Sequence, residues 1–459
     1  MSMPSATIAP NARTLRLLEA PVLATLLRLA LPNVLVMLAQ SATGLVETAF
    51  VGRLGTDALA GMSLVFPGVM LMQMIGAGAM GGGIASAIAR ALGAGRRDDA
   101  DGLVLHALAI NGALGLAFTV AGLLLGPAFY RALGGDAGAL AAANQYSSVV
   151  FGGAILMWVM NALASCIRGT GNMLVPALVI GGGAVLLVPV SPMLIFGYGP
   201  VPRLGVVGGG VAMLLYYAGA SVIFAAYLRS RRAAVRLRLA RLQGRALWDI
   251  LRIGLVAALV SLQTQIIVSV ATSLVGRFGT PAIAGYGVGA RLEYLLIPLV
   301  FGFGAPLVAM VGTNIGAGQQ QRALRVAWMG AWLAFGMTEF IGIVASLYPD
   351  LWLRIFAQDP AVLAAGRLYL RLVGPAYGFF GLGTAIYFAS QGAGRMRWPL
   401  IAALLRTVFA AAGGYAALTW TGRLAPVFMA LAAGLLVLGV VNAAALVRGA
   451  WFGPALSNR

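Results

Sequence analysis

The same unit occurs twice in this chain. Residues 50–61 read FVGRLGTDALAG and residues 274–285 read LVGRFGTPAIAG, 224 positions later. Leu92-Gly93-Ala94-Gly95 returns as Ile315-Gly316-Ala317-Gly318, shifted by 223. Arg168-Gly169-Thr170-Gly171-Asn172, with Pro176 beyond, returns as Gln391-Gly392-Ala393-Gly394-Arg395 with Pro399. Leu27-Arg28-Leu29-Ala30-Leu31-Pro32 matches Leu251-Arg252-Ile253-Gly254-Leu255-Val256. Four landmarks in one order describe a duplicated unit far longer than a solenoid repeat. In a membrane chain, two large copies point to a two-lobed transporter with its site between the lobes.

The composition requires a membrane. Of 459 residues, 61% are hydrophobic and 9% charged, and the mean hydropathy is +0.93. Soluble domains carry about 25% charged residues. Apolar runs lie at 22–50, 58–80, 102–127, 144–166, 174–197 and 205–228, then at 250–275, 283–311, 324–347, 365–390, 399–420 and 425–447. Each can cross a core of about 30 Å as a helix. The expected fold is therefore an all-α integral membrane protein: twelve transmembrane helices in two six-helix lobes, related by a pseudo-twofold along the membrane normal. The expected division is 1–228, a basic linker at 229–245, and 246–459.

Every one of the 31 basic residues is Arg, and the formal net charge is +19. The arginines lie between apolar runs and form no basic domain, so no nucleic-acid partner is expected. With the N-terminus inside, 21 arginines fall on the cytoplasmic side, Arg168 and Arg406 among them, against 6 outside. That bias predicts cytoplasmic N- and C-termini in a bacterial inner membrane, with no cleaved signal peptide. The stretch 229–245 reads as a solvated tether at anionic headgroups; a basic amphipathic helix with Leu237, Leu239 and Leu242 in lipid is the alternative. One His and one Cys argue against a metal cluster, a disulfide or a buried enzyme site. His106, beside Asp98, Asp99 and Asp101, reads as a surface residue, and Cys166 as a small hydrophobe. The sequence Gly76–Gly81 fits G-x-G-x-x-G, but it follows a membrane run rather than a strand, so close helix packing is the better account.

Intramembrane polar groups carry the functional argument. Of the acidic residues, Glu47, Glu293 and Glu339 fall well inside spans. A charge at mid-bilayer costs on the order of 2.5–3.5 kcal/mol on insertion scales, so each needs a reason. Asn33, Gln40 and Glu47 are spaced by sevens and share one helix face, with Thr43 and Gly44 a turn before Glu47. Desolvation there penalises a charged carboxyl, so Glu47 can take up and release a proton. The plain alternative is a polar seam joining helices. Arg291 and Glu293 form either a substrate counter-charge or, preferably, a brace within the lobe. Glu339 reads as structural. Gln263 and Thr264 in the seventh run, with Ser261, can face the cleft; Asn161 lies seven residues before Arg168. Met62, Met70, Met72 and Met74 suit adaptable ligand contact but more commonly mean packing.

The repeated VGR-[LF]-GT-x-A-[LI]-AG, the GAG after spans 2 and 8, and Arg168-Gly169-Thr170-Gly171 before Pro176 resemble the multidrug and toxic compound extrusion (MATE) family. The resemblance runs from Leu27 to about Pro399. It implies a two-lobed antiporter that expels cationic or amphiphilic compounds in exchange for protons or sodium, with Glu47 at the position of a first-helix acidic residue that couples ion to cargo. Two departures stand out. Ser191-Pro192-Met193-Leu194-Ile195-Phe196-Gly197 has Ser191 where the DNA-damage-inducible branch carries Asp. Thr264, with Phe379 and Phe380, stands where the NorM-like branch carries Glu and Asp. Several carboxylates are thus missing from any sodium site, which favours H+ over Na+. The expectations are a monomeric proton-coupled exporter of organic cations among membrane lipids, with no cofactor, no metal and no catalytic residue. The alternatives are a sodium-coupled exporter of the same family and a lipid-linked sugar flippase, which would call for several cationic groups in the cavity.

Overall fold

The computed structural model describes residues 12–134, 136–198 and 202–452, and no strand occurs among them. The first half runs through α1 (Ala12–Glu19), α2 (Val22–Gly52), α3 (Thr56–Gln73), α4 (Gly81–Gly93), α5 (Arg97–Ala132), α6 (Ala137–Gly152), α7 (Ala154–Gly169), α8 (Leu174–Phe196) and α9 (Val206–Arg229). The second runs through α10 (Gly244–Gly276), α11 (Thr280–Gly316), α12 (Gln320–Leu347), α13 (Asp350–Leu353), α14 (Pro360–Val373), α15 (Tyr377–Ala393), α16 (Arg397–Thr421) and α17 (Leu424–Val447). A π-helical stretch, Met74–Met80, joins α3 to α4, and a 3-10 turn joins α14 to α15. Among the described residues eleven helical spans are long and apolar enough to cross a membrane, and twelve when α6 and α7, bent by 44°, count as one. Helices are required because lipid offers no partner to an unpaired backbone group.

The duplication has a conformational cause. Gly55 and Gly279, Gly95 and Gly318, and Gly171 and Gly394 occupy equivalent positions, and all six have positive φ. Only glycine adopts that backbone without strain, so the motifs mark the turns at which each copy reverses direction.

Each half has its own core. Met157, Trp158 and Phe224 are fully buried in the first, and Tyr369, Tyr377 and Phe428 nearly so in the second. Glu339 accepts a hydrogen bond from the Gly378 amide at 2.7 Å, tying α12 to α15 in the structural role expected of it. The close packing anticipated at Gly76–Gly81 is present: a Cβ on Gly81 would strike Ser165, and one on the following Gly82 would strike Gln391.

The segment between α9 and α10 is neither an amphipathic helix nor a loose tether. It lies irregularly along α5, with Ala233, Ala234 and Val235 buried. Its backbone donors need acceptors once no helix supplies them. Asp101 accepts from the Arg236 amide at 2.7 Å, and His106 Nε2 accepts from the Gln243 amide at 2.9 Å. His106 Nδ1, 2.8 Å from the Gly102 carbonyl, carries the proton. His106 is therefore 3% exposed rather than a surface residue; the linker folds over it.

The halves meet from the arginine-rich end to mid-depth. Ser86 donates to the carbonyls of Gln391 (2.6 Å) and Gly392 (3.0 Å), and Arg90 pairs with Asp249 at 2.8 Å. Asn314 donates to the Leu17 carbonyl at 3.2 Å, fastening α1 across the seam.

Candidate functional site in the N-terminal half

The polar stripe on α2 divides into three tasks. Asn33 donates to the carbonyls of Gly302 (3.1 Å) and Phe301 (3.4 Å) on α11, so it is a strut between halves. Thr43 bonds the Ala39 carbonyl at 2.9 Å and the Ala184 carbonyl at 3.4 Å, fixing α2 against α8. Glu47 remains for the interior, and Gln40 is exposed.

Glu47 Oε1 is a buried atom with no hydrogen-bond partner. The hydroxyl of Ser191 on α8 is the polar group that bears on its carboxyl. Ser191 is itself fully buried and sits between Pro189 and Pro192, which cannot donate within the helix and so loosen it there. The phenols of Tyr146 on α6 and Tyr217 on α9 lie within electrostatic range of the Glu47 carboxyl. Gln73, at the end of α3, donates to the Tyr217 hydroxyl at 3.1 Å. The Tyr216 and Tyr217 rings stand 5.2 Å apart, and Gln40 lies near the Tyr216 hydroxyl without hydrogen-bonding it. Asn161 on α7 packs against Gly76 in the π-helical stretch, with its Nδ2 buried and unpartnered. The N-terminal half thus sets Ser191, Tyr146 and Tyr217 around Glu47, while Gln40 is exposed beside Tyr216 and Asn161 packs against Gly76. Sequence reasoning missed Tyr146, Tyr216, Tyr217 and Gln73; the adjacent tyrosines and a lone glutamine in otherwise apolar runs were the available signal.

The C-terminal half is arranged differently. Gln263 hydrogen-bonds Thr407 on α16, and Thr264 bonds the Val260 carbonyl of its own helix at 3.0 Å. Arg291 and Glu293 do not brace each other. Residues two apart project from different sides of a helix: Arg291 is exposed, its guanidinium 5.5 Å from the Phe356 ring. Glu293 instead accepts from the Tyr369 hydroxyl, and its opposite charge is Arg406. Arg406 stands nine residues inside α16, with its guanidinium 5.9 Å from the Phe380 ring. It therefore does not belong with the arginines of the charged end.

Two helical halves enclosing an isolated intramembrane carboxyl define a multi-pass membrane transporter. The family model described as MatE matches residues 32–193 and again 257–416. The chain belongs to that family, the multidrug and toxic compound extrusion transporters, and is not of an enzyme family. It is 28% identical over 377 residues to a FAD transporter of Shewanella oneidensis, covering 82% of each chain. It is 30% identical over 418 residues to a probable multidrug resistance protein NorM of Deinococcus radiodurans, covering 84% of this chain and 88% of that one. Its fold is similar to that of a MOP superfamily transporter from Pyrococcus furiosus, with a TM-score of 0.86 at 24% identity, covering 96% and 99% of the two chains.

Proposed function

We propose that this chain is a proton-coupled antiporter that exports organic cations and amphiphiles across a bacterial cytoplasmic membrane. The observation that carries the reading is Glu47, an intramembrane carboxyl with an unpartnered oxygen, faced by the Ser191 hydroxyl. Such a group is costly in a membrane unless it exchanges an ion. In this reading the termini are cytoplasmic. The seam held by Asn33, Ser86 and Arg90 then closes the inner side, and the conformation is open outward. Glu47 binds a proton from outside, cargo leaves, and the lobes rock about the linker to reload. Each proton entering supplies about 2.3 kcal/mol per 100 mV of membrane potential. The relatives named as multidrug resistance proteins support a drug-like cargo. No cofactor is needed, and one chain holds both lobes, so a monomer suffices.

The test reconstitutes the protein in liposomes with a fluorescent organic cation and imposes a pH or a sodium gradient separately. A pH gradient alone should drive exchange. Exchange driven by sodium alone and indifferent to pH would overturn the reading.

A further inference from the structure

We infer that Arg168 is the inner electrostatic barrier of the Glu47 pathway, preventing protons from leaking through to the arginine-rich side. This rests on the proton reading of Glu47 given above.

The polar side chains beyond Glu47 form a sequence. The carboxyl is in range of Tyr217, which accepts a hydrogen bond from Gln73 and lies tilted beside Tyr216. Gln40 lies near Tyr216 without bonding it, and the next charged group towards the arginine-rich end is Arg168, within electrostatic range of Tyr216. Depth places Arg168 at the inner end of this sequence. Asn172, four residues after it, hydrogen-bonds Tyr227 at 2.9 Å, and Tyr216 lies eleven residues further up α9, about 16 Å at the helical rise. Arg168 stands between these levels, in the last turn of α7, with its guanidinium within electrostatic range of Tyr216.

Orphaned polar atoms accompany the whole sequence. Glu47 Oε1, Ser191 Oγ, Tyr216 OH and Arg168 Nε are all buried without a hydrogen-bond partner. Such groups suit a path along which protons pass rather than a fixed network. A structural arginine would be bonded to a carbonyl or a carboxylate, and no hydrogen bond or ion pair of Arg168 occurs among the described residues. A fixed positive charge beside a pathway is one way in which pores turn back protons. The duplication supports the pairing of roles: the counterparts of Glu47 and Arg168 are Ala271 and Gln391, so acid and barrier stand together in one copy only. Gln391 serves the seam instead, reaching the Ala79 carbonyl at 3.3 Å.

The experiment loads liposomes carrying full-length protein with a pH-sensitive dye and imposes an inside-negative potential without cargo. Arg168→Gln should raise proton influx roughly tenfold over wild type, Arg168→Lys should stay tight, and adding Glu47→Gln to Arg168→Gln should abolish the leak. Arg168→Met, which keeps the length of the side chain and removes its charge, should leak as well and replaces Arg168→Gln if that variant does not fold. A folded Arg168→Gln as tight as wild type, or a leak indifferent to Glu47→Gln, would overturn the inference. Glu47→Gln alone, assayed for coupled exchange, separates the two readings. If it exchanges as wild type does, the proton reading fails; if it does not and Arg168→Gln is tight, only the barrier fails.

Discussion

Arg90 of α4 and Asp249 of α10 stand 2.8 Å apart across the seam between the two halves. Arg90 also reaches the Ser86 hydroxyl and the Gly392 carbonyl, and Asp249 holds Arg252 at 2.5 Å. One ion pair therefore ties α4, α10 and α15 together at the arginine-rich end. A hydrogen bond to a charged group contributes roughly 1.5–3 kcal/mol. Arg90→Gln should accordingly shift the population towards the conformer open at this end by on the order of tenfold. A cysteine introduced at Ile253, which is 1% exposed, in a Cys166→Ala background reads this out as faster thiol labelling.

The same seam depends on close backbone approach. A Cβ on Gly93 would collide with the Thr313 carbonyl, and one on Gly316 with that of Arg90. Gly93→Ala or Gly316→Ala should slow exchange about tenfold with helix content unchanged, because the seam can no longer close. Gly112→Ala and Gly219→Ala, which meet nothing within 4 Å, should exchange as wild type does.

Arg406 is the charge that Glu293 needs. The two make no ion pair within 4 Å, so Arg406 acts on Glu293 through its charge alone, and its loss leaves that carboxyl uncompensated. Arg406→Ala should lower the melting temperature in detergent sharply, and Glu293→Gln in the same chain should restore most of the loss.

Asp350, in the connection before α14, is forked by Arg367 at 2.6 and 2.9 Å and approached by Arg354 at 3.3 Å. The hydrogen bonds from Arg367, ahead of the arginine charges, hold its carboxyl below the ordinary aspartate range. A carboxyl depressed on folding adds stability that is present above its unfolded value, about 3.9, and lost as pH falls through the folded one. The melting-temperature difference between wild type and Asp350→Asn should thus persist at pH 5 and vanish only at lower pH.

The fold was legible where one physical demand dominates. Twelve spans follow from apolar length, and the paired turns follow from glycines that must take positive φ, such as Gly171 and Gly394. Glu47 was legible as a carboxyl with no business in lipid. Its surroundings were less so: Tyr146 and Tyr217 come within range of it from α6 and α9, with Gln73 at the end of α3 bonded to Tyr217, and periodicity along one helix does not say which helices abut. His106 was misjudged because neighbouring aspartates suggest a surface, whereas the linker covers it. Arg291 and Glu293 were paired by nearness in sequence, although two residues along a helix point apart. Asn33, counted in the stripe with Glu47, serves the seam instead.

The most direct test of proton coupling through Glu47 compares wild type with Glu47→Gln in liposomes, following dye-cation exchange under an imposed pH gradient. Wild type should exchange dye for protons, while Glu47→Gln should still bind dye but lose gradient-driven exchange by at least about a hundredfold, the scale of a lost ionisable coupling group. Exchange by Glu47→Gln at the wild-type rate would contradict the account.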